Sequence, residues 1–174
     1  SATFSVYCSR TLNHVTVASI RSAMNAWDWH TAAEAYGFDD DDAVDRALAT
    51  LKLDAGDGVG GLRFRLTYGP SERRPVLIHV HTGKDVLTEE QDEAEEWLDA
   101  AGGEGVERIR VHLNSTTEMV AIELGWSQLK DMGVVFAGMV AEYMAGAGCG
   151  LIRDPHGVWW AVDDQIPVQL AAPA

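Results

Sequence analysis

The chain has 174 residues, 47% of them apolar and 23% charged; 27 acidic against 13 basic residues give a net charge of −14 and a pI near 4.6. That length and apolar content exclude a disordered chain and suit one hydrophobic core, so a single domain over residues 1–174 is expected. The negative field excludes nucleic acid and anionic membrane surfaces as partners, since both need clustered Lys and Arg; it favours a basic protein or a cation, and it equally serves solubility alone.

In chain order, residues 3–9 alternate in polarity and predict a strand. Thr11 opens a predicted helix running to about Trp27, with Val17, Ile20, Met24 and Trp27 on one face. A helical turn over 30–36 ends at Gly37. The run Asp39-Asp40-Asp41-Asp42 then precedes a helical stripe of Val44, Ala47, Leu48 and Leu51. Residues 54–61 are Gly-rich and read as a connection. Two strands over 62–68 and 75–81 form a hairpin, turning at Gly69-Pro70-Ser71-Glu72.

Thr88 and Gln91 have capping-box spacing and predict a helix to about Ala100, with Ala94, Trp97, Leu98 and Ala101 inward. Its other faces carry seven carboxylates, Glu89, Glu90, Asp92, Glu93, Glu95, Glu96 and Asp99, and no Lys or Arg. Strands over 106–113 and 118–124 follow, then an amphipathic helix over 127–145. Strands at 150–153 and 157–162 flank the type I turn Asp154-Pro155-His156-Gly157. Hairpins separated by helices predict an α+β fold: a mainly antiparallel sheet of about six or seven strands with helices packed on it.

The motifs for chemistry are few. Residues 56–61 satisfy G-x-G-x-x-G, but they lie between a helix and a strand beside aspartates, the wrong context for a dinucleotide. The run Asp39, Asp40, Asp41 and Asp42 could chelate a hard cation but lacks EF-hand spacing, and it suits the start of a helix, whose free N–H groups and positive end favour carboxylates. His79 and His81 point to the same face of their strand, as a transition metal would require with a carboxylate as third ligand, and His112 is expected on another strand. The opposite face carries Val76, Ile78 and Val80, so the histidines also read as the solvated side. No nucleophile elbow, zinc-protease or Walker sequence occurs, and no cofactor is expected. Cys8 and Cys149 form no framework, and a bridge between them depends on whether their strands are neighbours. The start Ser-Ala-Thr-Phe-Ser-Val lacks a secretory n- and h-region, and no apolar run spans a membrane; a cytoplasmic location is expected, though a chain trimmed of its signal would read the same.

The candidate partner-binding residues follow from charge and exposure. Like charges three and four apart on the 88–100 helix cost stability that a basic partner would relieve, which singles out Glu89, Glu90, Glu93 and Glu96 with Asp39–Asp41. Trp159 and Trp160 place one indole on each sheet face; Trp160 is the candidate hot spot unless the 165–174 segment folds over it.

Val120-Ala121-Ile122-Glu123-Leu124, a long helix, Gly150-Leu151-Ile152-Arg153-Asp154, a turn and Val158-Trp159-Trp160 succeed one another in the last third. This order resembles small acidic α+β immunity proteins of bacterial polymorphic-toxin and contact-dependent inhibition systems. The resemblance implies a non-enzymatic inhibitor of one cognate toxin, often a basic nuclease, and it assigns no residue because interface positions vary among members. The expected function is therefore an acidic, immunity-like binding protein. The alternatives are a metal-dependent enzyme on His79 and His81, and a homo-oligomeric scaffold buried through the Trp-rich hairpin.

Overall fold

The fold, taken from a computed structural model, is described for residues 1–56, 62–70 and 73–173. Its elements in chain order are β1 (Ala2–Cys8), α1 (Val17–Ala26), α2 (Trp29–Ala35), α3 (Asp41–Thr50), β2 (Lys52–Ala55), β3 (Arg63–Thr67) and β4 (Val76–His81). Then come α4 (Lys84–Ala100), α5 (Gly105–Asn114), β5 (Glu118–Leu124), a 3₁₀ turn (Trp126–Lys130), α6 (Met132–Gly148), β6 (Gly150–Arg153), β7 (Trp159–Asp163) and β8 (Ile166–Ala171).

The strands make one antiparallel sheet in the order β2-β3-β4-β5-β1-β6-β7-β8. The first strand is central, pairing with β5 on one side and β6 on the other. Helix α6 links those two flanking strands by crossing over β1. It is buried on nearly every side, as an apolar-all-round helix must be.

Period-two alternation divides the sheet between two cores. Phe4, Val6, Ile78, Ile122 and Ile152 face α1, α2, α3 and α6. Tyr7, Met119, Leu151, Trp159 and Ala161 face α4 and α5 through Leu87, Ala94, Leu98, Ile109 and Leu113. Among the described residues no helix is long and apolar enough to cross a membrane.

The α+β class and the antiparallel sheet agree with the sequence; the eighth strand, β8, comes from the 165–174 segment, and β2 lies partly in the presumed connection. The 106–113 stretch is a helix, not a strand: Ile109 and Leu113 are buried one turn apart, while Val111, which completed the alternation, is 62% exposed. The first helix starts later, at the reciprocal cap between Thr16 and Ser19. Helix α4 starts earlier, at Lys84, so Thr88 lies within it and Gln91 reaches the carbonyl of Leu113 instead (2.7 Å). The 127–145 helix is split into the 3₁₀ turn and α6, whose cap is Asp131, accepting from Gly133 N–H. Residues 57–61, and with them most of the G-x-G-x-x-G match, lie outside the described residues, as do Ser71 and Glu72 of the predicted turn.

Candidate functional site

The helices cover the two faces of the sheet unequally. On the α4–α5 side both helices pack on the β1–β8 half. The strands toward β2 carry a row of polar side chains there that strand register brings into line. Arg63 pairs with His79, His79 with Ala121, Ala121 with Ser5, Ser5 with Arg153 and Arg153 with Trp159, so one row crosses six strands. A neighbouring row runs Asp54, Arg65, Leu77, Glu123 and Thr3.

Two cavities lie along these rows, of about 320 and 400 Å³, and they share His81, Ala121 and Glu123. Together they make one groove. Its far end holds Arg63 and Arg65, and its near wall is α4, through Val86, Glu90 and Glu93, with the β6–β7 turn. The groove is thus basic at one end and acidic at the other.

Arg153 stands at the acidic end. Its guanidinium lies 5.5 Å from the Trp97 ring centre and 5.9 Å from that of Trp159, and it pairs with Glu93 at 3.7 Å. Tyr7, stacked on Trp159 at 5.1 Å, has its phenol pushed up to about 12, chiefly by burial. Burial and the neighbouring Glu93 and Glu89 raise the Glu90 pKa, opposed by Arg153.

His79 and His81 share a face as expected, with ring centres 3.9 Å apart. Burial lowers both pKa values, with further lowering of His79 by His81 and Arg63 and of His81 by Arg63, so neutral imidazoles are favoured. His112 does not join them. It sits on α5, and its Nε2 contacts the Tyr7 carbonyl oxygen at 2.6 Å, tying that helix to β1. Among the described residues no three His, Cys, Asp or Glu side chains gather as a metal group.

The predicted partner-binding residues fall into separate places. Glu89, Glu90, Glu93 and Glu96 all lie on α4, but they differ in role. Glu90 and Glu93 face the groove, whereas Glu89, Asp92 and Glu96 are exposed and outside every ion pair found among the described residues. The helix is less bare of cations than its sequence suggests: it contains Lys84, and Arg110 of α5 bonds Asp99 (2.7 Å) and approaches Glu95 (3.6 Å). Asp39, Asp40 and Asp41 lie in the opposite layer. Asp40 caps α3 by accepting from the Ala43 N–H, and Asp41 stands in the first turn.

Trp160 is half-buried, packs on the α6-side core and donates its indole N–H to Asp154 (3.0 Å); Trp159 is wholly buried on the other face. Strand β8 continues the sheet beside that hairpin. Cys8 and Cys149 are both free thiols, Cys8 buried, with its pKa pushed up to about 12 by burial, and Cys149 exposed.

Sequence reasoning missed Arg153, Glu123, Arg63 and Arg65 as groove residues. The alternation that placed His79 and His81 on one face applies to each of their strands, but only the strand order aligns them. No protein-family model, no curated protein and no solved structure matches the chain.

Proposed function

We propose that this chain is a non-enzymatic acidic binding protein whose partner is a basic protein, and that it acts as an immunity-like inhibitor of a bacterial toxin. The observation that carries the reading is the outer line of α4, where Glu89, Asp92 and Glu96 stand three and four residues apart, exposed and unneutralised by the arginines that hold Glu93, Glu95 and Asp99. Like charges at these spacings repel along a helix, and a cationic surface laid against them removes the repulsion. A field of this sign also speeds the approach of a basic partner. The open groove beside α4 offers the same partner a sheet face left open among the described residues, with its own acidic wall. The resemblance of the last third to immunity proteins gives the partner its class.

The test is co-expression with the basic protein encoded by an adjacent reading frame. Growth rescue and a complex whose association slows with added salt are expected. Glu89→Lys with Glu96→Lys should slow association about tenfold at low salt with the melting temperature kept or raised, since the reversal also removes like-charge pairs along α4. If no neighbouring product is toxic or binds, the reading fails.

A further inference from the structure

In the layer opposite α4, a cleft of about 630 Å³ opens beside α6, between the chain that follows α1 and strand β7. That volume is in the range of sites for small organic ligands. Trp27, Met139, Tyr143 and Val162 supply its apolar surface, Glu142 lies among them, and His14 and Gln165 also line it. The Trp27 and Tyr143 rings meet edge-on with centres 6.3 Å apart. Both are held from behind: Trp27 packs on Trp29 at 5.3 Å, and the Tyr143 hydroxyl is hydrogen-bonded to Ser19 Oγ at 3.0 Å.

Glu142 is the unusual member. It is half-buried, with no hydrogen bond or ion pair to any described residue, and burial alone pushes its pKa up to about 7 from 4.5. A carboxyl group withdrawn from water without a partner is costly, and a cation placed against it would remove that cost. Aromatic faces attract cations in the same way, and more strongly where water is excluded. An anionic ligand would be repelled, and one carboxylate is too few donors for a hard metal ion.

We propose that this cleft binds an organic cation, an ammonium or guanidinium group carrying an apolar substituent, with Glu142 as its counter-charge and Trp27 and Tyr143 as its aromatic walls. The site is independent of the acidic face of α4. The cation belongs either to a free small molecule or to a lysine or arginine side chain presented by a protein.

Gly146 provides the control. It lines the same cleft on α6, and a Cβ added there meets nothing within 4 Å. Gly146→Leu therefore fills the cleft from a position that strains nothing around it, and it improves local helix propensity.

The purified chain is titrated with phenethylammonium and with uncharged 2-phenylethanol, following tryptophan fluorescence. Saturable binding of the cation is expected, weakened at least about tenfold by Glu142→Gln and abolished by Gly146→Leu with the melting temperature kept or raised. A tripeptide with a central arginine, blocked at both ends, is the second arm. Tighter binding of the tripeptide than of the amine assigns the cation to a protein partner, and the reverse order assigns it to a free ligand. Equal binding of 2-phenylethanol, no saturation by either cation up to about 10 mM, or wild-type affinity in both variants overturns the proposal. Glu89→Lys with Glu96→Lys should leave this binding intact, so its failure is separable from that of the toxin-inhibitor reading.

Discussion

At Glu142 the protonation equilibrium is set by burial with no compensating charge, and its folded-state pKa of about 7 stands above the ordinary 4.5. Raising the pKa of an acid on folding means that the folded chain holds its proton longer than the unfolded chain. Stability from this group is therefore full below pH 4.5, declines as the pH climbs to about 7, and levels off above it. Glu142→Gln keeps the shape and removes the charge. It should match the wild type near pH 4 and exceed it at pH 8 by about 1–2 kcal/mol, allowing for the partial exposure of the group. Thermal unfolding at the two pH values checks this, at about 2–4 °C per kcal/mol. A difference in melting temperature that does not change with pH would show that Glu142 is as well solvated when folded as when unfolded.

Between elements, a constraint set by backbone lies where α5 meets β8. The first residue of α5 is Gly105, and a Cβ there would collide with the backbone of Leu170, its carbonyl oxygen above all. Backbone does not swing aside as a side-chain tip does. Gly105→Ala should therefore cost about 1–3 kcal/mol and loosen β8 first. Hydrogen exchange at residues 166–171 reads that loosening, with Gly102→Ala as control because a Cβ at Gly102 meets nothing within 4 Å. If the two variants exchange alike, the contact is not needed to hold β8. This contact also marks where the sequence was hard to read. Residues 106–113 satisfy two periods at once: Ile109, Val111 and Leu113 alternate like a strand, while Val106, Ile109 and Leu113 recur like a helix. Packing against α4, β8 and Tyr7 decides between them. Strand β2 has a single buried residue, Leu53, too little pattern for a strand to announce itself. By contrast, the 62–68 and 75–81 hairpin, the Asp40 cap and the turn at Asp154 were legible, since each rests on residues close in the chain.

For the whole molecule, layer assignment separates features that charge alone had grouped together. The groove residues are drawn from β1, β3, β4, β5 and β6, and apart from the local β3–β4 hairpin these strands become neighbours only through long connections, so no local pattern could assemble the whole groove. The same layering places Asp39–Asp42 and α4 on opposite sides of the sheet, so a partner seated flat on one does not touch the other. This gives a test that separates docking from overall charge. Glu89→Lys with Glu96→Lys and Asp39→Lys with Asp42→Lys change the net charge by the same amount. If the basic partner docks on α4, only the first pair slows association at low salt, and the gap between the pairs closes near 1 M salt as screening shortens the reach of the field. The second pair should cost a few tenths to about 1 kcal/mol of stability, because Asp42 lies in the first turn of α3, where the helix dipole favours an anion. Asp40→Ala should cost about 1 kcal/mol by removing the cap, with no effect on association. Equal slowing by both pairs, measured by stopped flow, would mean that the partner responds to the field of the whole protein and that α4 is not its docking face.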